Sequence, residues 1–196
     1  MLPADIDPES RCRLPMVKRE DLDAEGQKIY DVHTDPKGGT IRGLKGPGGL
    51  QLHSPRLSYL SRPVNKYLRF EAGHSEHVRE VAILITAREC DSRFEWAAHE
   101  PEALSVGVPQ TVIDVIKHRK PTTGLAEADA VIIDLGREMF GKRKVSSETF
   151  ARALKQFGKR PLIDLVVLMG HYAGTAALLC AFDMQLDEGT TALLPV

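Results

Sequence analysis

The sequence predicts an all-α protein, on three observations. Apolar residues recur at helical spacing in one segment after another, as in Val78, Val81, Ala82 and Ile85. Several of these segments open on residues with a capping mechanism, such as Ser54 before Pro55 and Ser75 before an apolar run. No stretch alternates apolar and polar side chains as a half-buried strand does. This pattern implies about seven or eight helices, and 196 residues suffice to bury a core without metals or cross-links.

Residues 1 to 17 hold three prolines and no helical period, so they read as an extended strap, one that could reach across a neighbouring subunit. The rest, 18 to 196, reads as a single all-α domain. It opens with "KREDLDAEGQKIYDVHTD", where Leu22, Ile29, Tyr30 and Val32 recur at helical spacing and acidic residues occupy the first turn, as the helix dipole prefers. This short helix should end at residues 35 to 49, "DPKGGTIRGLKGPGG", where prolines and six glycines predict a long loop with no regular element. The loop lacks the strand before it and the Gly-Lys-Ser/Thr ending of a phosphate loop.

Ser54 and Pro55 start the next helix, and Pro63 should kink or split it. Ser75 caps "EHVREVAILITAREC", whose two apolar stripes, Val78, Val81, Ala82 and Ile85 on one side and Ile83, Leu84 and Ala87 on the other, describe a helix buried nearly all round. "SRFEWAAHEPEALSVG" continues in helical register to Gly107, with Pro101 predicting a bend, and Pro109 opens a further helix in the first turn. Three more patterns cover 125 to 140, 147 to 158 and 161 to 183.

Composition narrows the function classes. A net charge of -1 with scattered basic residues offers no electrostatic ground for nucleic acid or an anionic membrane as partner, and "GKRKVSS" at 141 to 147 reads as a solvated helix end. Cys12, Cys90 and Cys180 are odd in number and form no CxxC pair, so no disulfide framework and no metal site is expected. With an N-terminus lacking a basic start and an apolar stretch, they suggest a reducing, cytoplasmic setting. Residues 162 to 182 approach a membrane span in length but carry Asp164 and His171, which favours a buried core or interface helix.

The candidate chemistry gathers between residues 80 and 99. Glu80 shares a helical face with Ile83, Leu84 and Ala87, and a carboxylate on an apolar stripe needs a His or Arg partner. His99 lies three and four residues after Trp96 and Glu95, so imidazole, indole and carboxylate share a face, with Phe94 adding an aromatic wall. Cys90 ends the apolar run, either as a core thiol or as a nucleophile ionised near His99. A bend at Pro101 would open a pocket beside these residues. Each of them also has an ordinary structural reading, as a helix-terminal carboxylate, a packed imidazole or an inert thiol.

The run "REVAILITARECDSRFEWAAHEPEALSVGV" resembles the core motif of the carboxymuconolactone decarboxylase and alkylhydroperoxidase D superfamily, and the similarity extends from "QLHSPRL" at 51 to "HYAGTAALLCAFDMQL" ending at 186. The resemblance implies an all-α bundle of the alkylhydroperoxidase D type, free of cofactors and assembled as a homotrimer or homohexamer. In the peroxidase branch a CxxC pair lies between the Glu and the His; carried onto this chain its cysteines fall on Ser92 and Glu95, so the dithiol is missing. The resemblance therefore points to the decarboxylase-like branch, a lyase acting by proton transfer on a small carboxylated or lactone-type compound of aromatic catabolism. His99 would be the acid-base and Glu80 its partner, with Trp96, Phe94, Glu95, His171 and Tyr172 around the substrate. Two alternatives stand beside it: a peroxidase-type oxidoreductase using Cys90 alone, and a catalytically silent helical oligomer that binds a ligand.

Overall fold

The computed structural model describes residues 2–35, 43–190 and 193–195. Among them there is no strand; the chain is helical, as its periodicity predicts. It divides into two compact units, Met1–Asn65 with Ala177–Thr190, and Lys66–Ala176 with Thr191–Val196.

The first unit begins with the strap. Its backbone is tied to the chain's own C-terminal segment: Arg13 N–H donates to the Phe182 carbonyl at 2.9 Å, and Gln185 N–H donates to the Arg11 carbonyl at 2.8 Å. Arg11 Nε adds a bond to the Leu186 carbonyl at 2.8 Å. The strap is thus clasped to residues 182 to 186 of its own chain, because extended backbone must find hydrogen-bond partners and that segment offers them. A single 3₁₀ turn, Arg19–Asp21, precedes α1 (Ala24–Thr34). The helix starts later than the pattern suggested because Asp23 caps it, its carboxylate accepting from Gly26 N–H at 2.7 Å.

The predicted loop contains a short helix, α2 (Pro47–Gln51). Pro47 takes the first helical position, where its fixed φ suits the helix and its missing N–H costs nothing. Gly49 is required there by close approach, since a side chain would collide with the Leu44 carbonyl oxygen. Residues 36–42 of that loop lie outside the described residues. Helix α3 (Pro55–Lys66) runs through Pro63 without splitting and passes directly into a π-helical turn, Tyr67–Glu71. A void of about 10 Å³ between strap and α2, lined by Cys12, Met16, Leu50 and Met184 among others, has room for about one water and no organic substrate.

The second unit holds the larger core. Helix α4 (Glu76–Glu89) starts at Ser75, whose hydroxyl accepts from Val78 N–H at 3.2 Å. Every residue from Arg79 to Arg88 is buried, which is the all-round burial that its two apolar stripes describe. Around α4 pack α5 (Arg93–Ser105), α6 (Gln110–Lys117) and α7 (Glu127–Gly136). A second π turn, Arg137–Lys142, extends α7, and α8 (Ser147–Phe157) packs against α7. The last helix, α9 (Lys159–Ala181), contributes Leu165, Leu168 and Met169 to a core with Ile83, Leu84, Ile113, Ile132 and Trp96. Each such side chain, fully removed from water, contributes about 1.5–3 kcal/mol.

Gly136 sets how closely α7 approaches its neighbours. A Cβ there would lie 2.7 Å from Ile85 Cγ1 and 3.0 Å from the Met169 methyl. Gly136→Ala should gain about 1 kcal/mol in helix propensity but lose about 1–3 kcal/mol through overpacking. Packing wins, so thermal melting of this variant should fall below wild type; a rise would show that Ile85 and Met169 yield freely.

Candidate functional site

Helices α4 and α5 run back to back around a tight reversal at 90 to 92, where Asp91 takes a positive φ of 48° and Ser92 N–H bonds to the Ala87 carbonyl at 2.8 Å. That reversal brings Glu80, early on α4, beside His99, late on α5. Glu80 Oε2 lies 2.7 Å from His99 Nδ1, and Glu80 Oε1 accepts from Arg79 Nε at 2.9 Å. Both partners and the carboxylate are buried, Glu80 at 0 % exposure and His99 at 3 %. Burial pushes the Glu80 carboxyl up, but the hydrogen bonds and charges of His99 and Arg79 outweigh it and hold the group below its usual range. An ionised carboxylate can only accept, so Nδ1 carries the proton of that bond and Nε2 is the nitrogen left to exchange one.

His99 Nε2 stands 3.7 Å from Glu95 Oε2, beyond hydrogen-bond length. The Tyr172 ring covers the imidazole edge to face, with centroids 5.2 Å apart, and His171 meets the same Tyr172 ring at 6.0 Å. Glu80, Glu95, His99, His171 and Tyr172 therefore form one cluster.

Trp96 belongs to a different network. Its indole N–H donates to Glu100 Oε2 at 2.9 Å, and Lys117 Nζ donates to Glu100 Oε1 at 3.0 Å while lying 5.7 Å from the indole centroid. Phe94 is buried on α5 near its start. The helix continues through Pro101 to Ser105, and the polar residues beside it, Glu95, His99 and Glu100, are all buried.

Cys90 is not brought to the cluster. It caps the C-terminus of α4, ten residues after Glu80, which is about 15 Å along a helix axis. Burial pushes its thiol up, and the charges of Glu89 and Asp91 push it further. The negative end of the α4 dipole also opposes a thiolate there. Cys90→Ser should consequently leave turnover within about twofold, and the wild-type thiol should alkylate with iodoacetamide only slowly at pH 7. Rapid alkylation together with lost activity in the serine variant would restore a redox role.

Sequence reasoning missed Arg79. Adjacent residues project to different sides of a helix, so face arithmetic does not pair them. The signal that could have found it was an Arg-Glu doublet at the edge of an otherwise apolar run, two charges with little else to neutralise them. No family model matches this sequence, and no curated protein or solved structure matches it either.

Proposed function

We propose that this protein is a cofactor-independent, decarboxylase-like lyase in which His99 transfers a proton to a small carboxylated or lactone-type compound. The observation that carries this reading is the division of labour on one imidazole: Nδ1 is held by the Glu80 carboxylate at 2.7 Å, while Nε2 stands 3.7 Å from Glu95. A buried carboxylate on Nδ1 fixes the tautomer and stabilises the imidazolium, as an acid-base histidine requires.

In the proposed step the bond between ring carbon and carboxylate breaks and carbon dioxide leaves. The electron pair passes to the carbon, conjugated with the lactone carbonyl. His99 Nε2–H then delivers its proton to that carbon, forming the new C–H bond, and the neutral imidazole regains a proton from solvent. Arg79 is a positioning residue: it neutralises Glu80 on the side away from His99. Tyr172 covers the imidazole, so turnover requires that side chain to move aside.

The test is incubation with a γ-lactone carrying a ring carboxylate in deuterated water. Carbon dioxide should be released, with one deuterium at the carbon that lost it. No release from any such lactone would leave the second reading, a silent ligand-binding oligomer. The near-complete burial of Glu80, Glu95 and His99 favours that alternative, since buried polar networks also serve to fix a fold.

The assembly is part of the proposal. Along α9, Ile163, Val167, Gly170 and Gly174 are all exposed at three- and four-residue spacing, an apolar stripe without charge. A homotrimer or homohexamer would cover it. Sedimentation equilibrium at micromolar concentration should show an oligomer, and Val167→Glu should shift it toward monomer. A wild-type monomer would contradict this.

A further inference from the structure

Next to the proton-transfer cluster, the second unit carries a cation to which the proton transfer gives no task. Arg69 lies on the π turn that feeds into α4, a local geometry that recurs at functional sites. Its carbonyl accepts from Arg79 Nη1 at 3.0 Å, so its backbone is fixed to the residue that neutralises Glu80. The two guanidiniums share one aromatic ring, Arg69 lying 4.8 Å and Arg79 5.5 Å from the Phe70 centroid. Their charges have different fates. Arg79 is paired with Glu80 at 2.9 Å and with Glu76 at 3.7 Å. Arg69 has no ion pair among the described residues, and its Nε is buried with no hydrogen-bond partner among them.

A half-buried guanidinium with an orphaned donor is costly unless something anionic completes it. The groups facing it favour such an occupant. The Arg69 charge, after burial itself, holds His171 below its usual range, and it opposes the upward push of burial on the Tyr172 phenol. The ring nitrogens of His171 make no hydrogen bond among the described residues and are available as a further donor. His171 and Tyr172 meet edge to face, and Tyr172 in turn covers His99.

We propose that Arg69, assisted by His171 and with Phe70 as an apolar contact, binds the carboxylate of a small organic anion at the approach to His99. The ligand class is an aromatic or unsaturated carboxylate: Arg69 offers a planar guanidinium whose N–H donors match a carboxylate, and the exposed Phe70 side chain lies beside it. This deepens the lyase reading and rests on it for the chemistry after binding; the anion site itself depends only on Arg69 and its surroundings.

Sodium benzoate is the probe, with benzamide as its neutral isostere, each titrated calorimetrically into the full chain at pH 7. Wild type should bind benzoate about 10- to 100-fold more tightly than benzamide, the span that a charge-assisted pair supplies. Arg69→Met should bring benzoate down to the benzamide level, and Arg69→Lys should fall between, since it keeps the charge and loses the fork. His99→Asn should keep the wild-type benzoate affinity. Equal affinity for the two probes, no benzoate binding by wild type, or unchanged benzoate binding in a folded Arg69→Met would each overturn the anion site. Loss of benzoate in Arg69→Met with unchanged turnover in His99→Asn would keep the anion site and remove the proton-transfer reading instead.

Discussion

His99→Asn is expected to lower turnover of a carboxylated γ-lactone by about 10²- to 10⁴-fold, the usual contribution of a general acid-base group. Asn can still donate to Glu80 from its amide, so the Nδ1 role is partly conserved while the titrating nitrogen is lost. That separates chemistry from folding better than Ala, which would strip the His99 bond from Glu80 in a dry core and leave it leaning on Arg79. The loss should fall on kcat, with KM nearly unchanged, because Nε2 acts in the transition state and the anion is held elsewhere. A KM effect alone would assign His99 to binding. Thermal melting within a few degrees of wild type is required for either conclusion.

The second large effect concerns stability. Arg79→Met should destabilise the protein by about 3–5 kcal/mol, because it strips Glu80 of one of two buried partners and leaves the carboxylate undercompensated. Measured against the roughly 5–15 kcal/mol that typically separates folded from unfolded, this is a substantial share. Glu80→Gln should also destabilise, since the buried Arg79 then keeps only the exposed Glu76 at 3.7 Å as counter-charge, so any activity measured on that variant needs its folded fraction determined first. The pH dependence has a definite sign. The folded-state Glu80 carboxyl lies below its ordinary value of 4.5, so its stabilising contribution is fully present above that pH and is lost as pH falls through the lower, folded value. Denaturant titrations from pH 6 downward should show wild type losing stability faster than Glu80→Gln, with the two curves converging. Parallel curves would mean that another group governs acid unfolding.

How much the sequence disclosed depends on how local each signal is. Fold class was readable because helical periodicity and caps such as Ser75 act within a few residues. Glu80 on an apolar face demands a partner wherever the chain goes, and His99 on the next helix is that partner. Trp96 shares a face with His99 three residues on, yet Glu100, one residue further, captured its N–H, and spacing cannot rank two neighbours on one face. Cys90 and His99 are close in sequence, but the reversal at 90 to 92 sends α5 back along α4 and leaves the thiol at the far end. Arg69 lay outside the motif altogether. Its significance comes from a buried donor without a partner, which only a three-dimensional arrangement reveals.

The most direct test is a double-mutant cycle on kcat with wild type, Glu80→Gln, His99→Asn and the double variant, each corrected for its folded fraction. If Glu80 acts through His99, Glu80→Gln slows wild type but has almost no further effect once His99 is Asn, so the two losses do not add. Fully additive losses would contradict the coupled Glu80–His99 unit.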